Sequence, residues 1–301
     1  MEKHHIGTDS VIHRFDKDAS PALSCGLPAT LVFDAEDCFK GQIKSGDDTL
    51  DRLDYSSMNP CSGPVHFEGL RAGDVLEIEI KRIACNSPGC TMCIPGEGCI
   101  GDLVKKSITR IYPIKDGVID MGGDLKIEAS PMIGVIGVAP KDGTPLTMAS
   151  GDFGGNMDCS LIKEGATLYL PVQVDGGLLA LGDLHAAQGD GESFYTGLEV
   201  SGQVELVARR RQGMRISVPF VAVDGRMASI VTRGSIEGAL HDAMASLVDF
   251  ITANGNLNFY DAGFLCGLFG NLEISQVVDD PLRTARMSIS LDILRKAGVD
   301  I

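Results

Sequence analysis

The chain has 301 residues, 44% of them hydrophobic, and a formal net charge of −15. That length suits two domains or one large β architecture with a sizeable core. The charge excludes a basic nucleic-acid footprint, since the run Arg209, Arg210, Arg211 is the one basic cluster and reads as a solvated strand end.

No apolar run approaches the roughly 18 residues that a membrane helix needs. The segment Met1 to His5 has no apolar stretch of the kind that opens a secretory signal, so a cytoplasmic location is expected. Glycine is plentiful, 37 residues or about twelve per cent against a usual seven or so, which favours tight turns and a β-rich fold. Trp is absent and Tyr scarce, which argues against stacking platforms for bases or sugars.

Strand signals dominate the first two-thirds. In residues 75–80, Leu76, Ile78 and Ile80 alternate with Glu77 and Glu79, the pattern of a half-buried strand. Residues 101–111 suit another strand element, and 117–127 a hairpin turning at Met121, Gly122, Gly123 and Asp124. Residues 132–138 are apolar except for Gly134 and Gly137, as in a buried strand over which another backbone passes closely. Strands are also expected at 168–174, 178–181 and 198–211.

The period then changes. Ser235 can cap a helix whose apolar positions Ile236, Ala239, Leu240, Ala243, Met244, Leu247, Val248 and Ile251 share one face, with Gly255 as its stop. A shorter helix is expected at 260–269, a strand at 272–278 and, after the turn Asp279, Asp280, Pro281, a strand at 283–293. The expected fold is mainly β with an α+β C-terminal portion. A sandwich- or barrel-like body (1–215) carries Gly-rich site loops, and 216–301 packs on it.

The densest chemistry lies in residues 182–192, where Asp183, His185, Gln188, Asp190 and Glu192 are strung on glycines. One imidazole with three carboxylates on a flexible backbone is a candidate metal or acid–base site, expected in a loop at a strand end. The bland alternatives are that Asp183 and Asp190 close glycine turns and that His185 is a satisfied core residue. Among the nine cysteines, Cys85, Cys90, Cys93 and Cys99 cluster, but only Cys90 and Cys93 have a short zinc-like spacing. Free thiols packed in a loop are therefore expected there rather than structural zinc.

Five segments together resemble the acetamidase/formamidase family. They are Asn59-Pro60-x-x-Gly63-Pro64-Val65, Glu68-Gly69-x-x-x-Gly73-Asp74, the Pro131 to Pro140 run, Gly154-Gly155-Asn156-Met157-Asp158 and the His185 segment. The resemblance extends over residues 26–293. It implies hydrolysis of a small aliphatic amide, formamide or acetamide, to carboxylate and ammonia. It also implies a β-rich fold with an α+β portion and a divalent metal in or near the site. The cysteines at 85–99 are more numerous than the resemblance leads one to expect.

Amide hydrolysis needs an activated nucleophile, a stabilised oxyanion and a proton for the nitrogen, and a metal can serve the first two. Asp183 and His185, two apart, share a face if extended, and are expected to ligate one such ion, with Asp37 as third ligand and Asp34 as its substitute. Glu192 is the expected base, Asn156 the residue that orients substrate or donates to its oxygen, and Asp158 the holder of the amide NH2. Turn-closing or exposed-loop roles for Asp34, Glu36, Asp37, Asn156 and Asp158 are the competing readings. One histidine with several carboxylates suits zinc first, with manganese or calcium as alternatives.

The mechanistic rival is a cysteine nucleophile, Cys159, assisted by His185. A non-catalytic metal- or small-molecule-binding protein on the same scaffold is the rival of a different class. A cupin-like oxygenase would need more histidines than the chain offers. The apolar residues Phe264, Leu265, Leu268 and Phe269 suit either core or an interface, and a homo-oligomer is expected.

Overall fold

The computed structural model describes residues 3–301 and is built on two large sheets. The first has nine strands, in the order Lys3–Ile6, Ala29–Ala35, Gly202–Arg211, Val75–Cys85, Thr167–Pro171, Phe220–Val223, Arg226–Arg233, Arg283–Ser290, Asn271–Gln276. The second, of ten strands, has Leu179–His185 near its middle, flanked by Met132–Gly137 and by Glu199–Val200, with Cys61–Glu68 also paired to it. A small third sheet contains the expected hairpin, with Val118–Asp120 against Lys126–Glu128.

The period-2 pattern decides what each face of the nine-stranded sheet covers. Leu76, Ile78, Ile80, Leu168 and Leu170 turn towards the second sheet, where Ile133, Val135, Leu179 and Leu181 join them in one core. On the opposite face Met227, Val231, Ala285, Met287 and Ile289 form a second core under the helix Ile236–Asn254. Ser235 caps that helix by accepting from Gly238 N, and Ala239, Ala243, Leu247, Val248 and Ile251 are its buried stripe. Each buried Leu, Val or Ile contributes about 2 kcal/mol relative to exposure.

Thr167–Pro171 pairs with Phe220–Val223, so hydrogen bonding crosses residues 215–216 without a break. The two expected portions therefore share one sheet. The predicted strand over 283–293 ends at Ser290. Its hydroxyl accepts from Asp292 N and starts the short helix Leu291–Lys296, although the apolar alternation runs on through Leu291 and Ile293. At 101–111 a single turn of 3-10 helix, Gly101–Leu103, precedes the strand Ile108–Tyr112. The shorter helix spans Phe259–Phe269, capped by Asn258.

Candidate active site

All seven residues of Leu179–His185 are buried, and the strand carries Asp183 and His185 into the wall of a cavity of about 450 Å³. The expected loop is thus a strand as far as His185, and the glycine-rich turn begins only after it. Close approach explains the glycines around it. A Cβ on Gly182 would lie 2.2 Å from Pro60 O, and one on Gly134 would lie 2.5 Å from Asp183 Oδ2 and 2.6 Å from Asp158 Oδ1. Gly137 meets Gly155 N in the same way, so another backbone does pass over the 132–137 strand.

Strand pairing supplies a residue that the sequence reading missed. Glu199 stands opposite His185 in register, and its Oε2 lies 3.0 Å from His185 Nε2. Asp183 Oδ1 lies 3.4 Å and Asp158 Oδ1 3.9 Å from the same nitrogen. Glu192 comes in from the turn after the strand, its Oε1 accepting from Gly197 N at 2.9 Å. Oxygens of Asp158, Asp183, Glu192 and Glu199 are buried without a hydrogen-bond donor. The Nε2 of His185 could donate to one of them, which still leaves three unserved.

The lining includes no Lys or Arg among the described residues. Burial pushes the carboxyls of Asp158 and Glu192 well above the usual range, and repulsion among the acids adds to it. Glu199 and Asp279 are pushed up to about 7, again by burial first. Burial opposes a charged His185, but Glu199 and Asp183 outweigh it and hold the imidazole well above its ordinary value. A set of buried, undonated carboxylate oxygens around one imidazole nitrogen fits a divalent cation, with nitrogen and oxygen ligands already converging.

Strain is concentrated here. Of the nine described non-glycine residues with left-handed backbone, Asn59, Asp158, Asp183, Glu192 and Tyr195 line this cavity. Such conformations cost of order 1–3 kcal/mol each and persist where the surroundings over-determine them.

Asp158, Asp183, His185, Glu192 and Asn156 are brought together as side chains of one cavity. Asp37 is not. Its Oδ1 accepts from Phe39 N and Gly41 N, and its Oδ2 from Gly41 N, so the carboxylate closes a turn. Asp34 lies on the other sheet, paired with His5 and Gln203. Asn156 is partly committed: Nδ2 donates to Asp279 Oδ2 at 2.8 Å, and Oδ1 accepts from Asn59 Nδ2 at 3.3 Å. Asp190 faces away from the cavity and pairs with Arg286. Asn59, Cys38 and Asp279 are further lining residues that sequence spacing did not reveal, because each comes from a distant segment.

Cys159 is wholly buried in the main core and does not line the cavity, which removes the proposed nucleophile from the substrate's reach. Cys90 and Cys93 are three apart on the strand Gly89–Cys93 and so face opposite sides, while Cys99 is exposed. The four clustered cysteines therefore do not converge on a zinc ion.

A profile of the Acetamidase/Formamidase family matches residues 2–148 and 142–295. The chain belongs to this family. A solved structure of a predicted acetamidase/formamidase from Thermoanaerobacter tengcongensis superposes with a TM-score of 0.96 at 39% identity, covering 99% of each chain. An acetamidase from Bacillus halodurans gives 0.95 at 37% identity, covering 98% of this chain and 100% of that one. Among curated relatives of the family, the acetamidase of Mycolicibacterium smegmatis is 25% identical over 264 residues, covering 64% of each chain. The formamidase of Methylophilus methylotrophus is 29% identical over 143 residues, covering 42% of this chain. The chain spans 64% and 32% of the lengths of those two relatives.

Proposed function

We propose that this chain hydrolyses a small linear amide, formamide or acetamide, to the carboxylate and ammonia, with water activated at a divalent cation. The observation that carries the reading is the ring of undonated carboxylate oxygens around His185 Nε2. Family membership and the formamidase and acetamidase names of its relatives support the reaction class.

His185, Asp158 and Asp183 would hold the cation, zinc in the first place, with manganese or calcium as alternatives. When bound, it supplies Lewis acidity, which makes a water more acidic and an amide carbonyl more electrophilic. Glu192 keeps one oxygen free and aimed into the cavity, and its raised affinity for a proton suits taking one from water and passing it to the departing nitrogen. Asn156 retains a second amide hydrogen for the substrate oxygen, while Asp279, at the half-buried edge, can accept from the substrate NH2. Phe39, Met58, Leu146 and Met148 add apolar lining to the cavity that suits a short acyl group.

The partner in solution is proposed to be a second copy of the chain. Tyr260, Phe264 and Leu268 form an exposed stripe at helical spacing beside Asn271–Gln276, the terminal strand of the nine-stranded sheet. No helix among the described residues is long and apolar enough to cross a membrane.

Ammonia release from formamide, acetamide and propionamide, before and after chelation and metal return, tests the reading. Turnover lost on chelation and restored by zinc or manganese is expected. Absence of turnover on every amide by metal-loaded protein would refute it.

A further inference from the structure

We propose that Arg286 is a positioning residue for Glu192, acting through Asp190 from outside the cavity. This role rests on the amidase reading, in which Glu192 handles the proton.

The turn that delivers Glu192 depends on its surroundings. Gly191 and Glu192 both have left-handed backbone, with φ of 94° and 46°. Such a conformation in a non-glycine residue persists where neighbouring structure over-determines it. Here the neighbour is the far end of the nine-stranded sheet. Gly191 N donates to Ser275 O at 2.9 Å, and Val277 N donates to Gly191 O at 3.1 Å. Asp190, one residue earlier, takes both terminal nitrogens of Arg286, with Nη1 donating to Oδ1 at 3.0 Å and Nη2 to Oδ2.

Arg286 is itself held. It is 2% exposed, and Glu273, opposite it in register on Asn271–Gln276, accepts from Nε at 3.3 Å. A planar guanidinium that binds a carboxylate through two bonds fixes its orientation as well as its distance. A buried ion pair is a poor source of stability beside an apolar pair of the same volume, whereas orientation is what it can supply. The same hub reaches the segment that carries Asp158. Ser160, two residues on, donates from Oγ to Asp190 Oδ1 at 2.5 Å and accepts from Arg286 Nη1 at 3.5 Å. One guanidinium in the nine-stranded sheet thus ties together the turn before Glu192 and the segment after Asp158.

Asp190→Asn is the variant of choice, because it keeps the shape and sets an amide donor against the guanidinium while Glu273 still pairs with Arg286. It should lower kcat for formamide and acetamide about 10- to 100-fold through misplacement of Glu192, with KM, cation content and circular dichroism unchanged. In a Glu192→Gln background the same substitution should leave the residual kcat unchanged, since the group it acts through is already lost. Hydrogen–deuterium exchange should quicken at the amides of residues 187–192 and not in the helix Ile236–Asn254. Native kcat in Asp190→Asn, losses that multiply in the double variant, or unaltered exchange at the turn would each overturn the proposal. Ammonia release from no amide by the unaltered protein would remove the amidase reading, and the exchange result would then decide by itself whether Arg286 holds the turn.

Discussion

Gln188 sets the tautomer of His185. Its Nε2 donates to Asp158 O at 2.7 Å, so its Oε1, 2.7 Å from His185 Nδ1, must accept and Nδ1 must carry the proton. Nε2 is thereby directed at the carboxylates and can ligate a cation once its own proton is displaced. Gly197 packs against the same ring, where a Cβ would lie 2.5 Å from Nδ1. Gln188→Leu is expected to weaken cation affinity about 10–100-fold. Competition against a chromophoric chelator measures this, and unchanged affinity would contradict the role.

Glu192→Gln should lower kcat by roughly 10²- to 10⁴-fold while KM changes little, because the amide keeps the shape and loses the proton acceptor. Steady-state ammonia release provides the number. A variant with near-native kcat would transfer the proton-handling role to another residue.

Gly134→Ala places a methyl group between two carboxylates that have little room to move. A stability loss of about 1–3 kcal/mol is expected, together with reduced cation content. Thermal unfolding with elemental analysis on the same sample checks both, and full retention of the ion would show that Asp158 and Asp183 can separate freely.

Arg286 is 2% exposed and is held by Asp190, with Ser160 and Glu273 adding contacts. Burial alone would raise the Asp190 carboxyl, but hydrogen bonds from Arg286 and Ser160 outweigh it and hold it below its usual value. The folded form thus binds the proton less tightly than the unfolded form. The stabilisation is complete above the unfolded pKa near 4 and is lost as pH falls through the lower folded value. Asp190→Asn should cost about 1–2 kcal/mol at neutral pH, below the range for a fully buried pair, because the Asp190 side chain is half exposed and Glu273 still reaches Arg286. Denaturant unfolding at pH 7 and below 4 should show the gap between wild type and variant closing in acid. A constant gap would argue against the ion pair.

Leu268→Glu puts a charge in the exposed helical stripe and should shift sedimentation towards a smaller species without changing the circular dichroism. A wild type that sediments as a monomer would dispose of the self-association reading.

Part of the site was legible because its residues are near one another in sequence. Asp183 and His185 are two apart on one strand, and Glu192 follows through a glycine turn. Glu199 was not legible. It lies fourteen positions beyond His185, and only antiparallel pairing of Leu179–His185 with Glu199–Val200 sets it opposite the imidazole. Asp37 misled for the converse reason, as a short acidic run looks the same whether its oxygens face a cation or their own backbone N–H groups.

The amino-acid order by itself determined the β-rich class, the Ser235-capped helix and the presence of a histidine–carboxylate motif. Periodicity and capping are local properties, and a few neighbouring residues suffice to express them. Tertiary structure decided the continuity of one sheet across residues 215–216, the burial of Cys159 away from the cavity and the convergence of Cys38, Asp158, Glu199 and Asp279 around His185. Those depend on which strands pair and in what register, and register is settled by packing between segments that no local pattern connects.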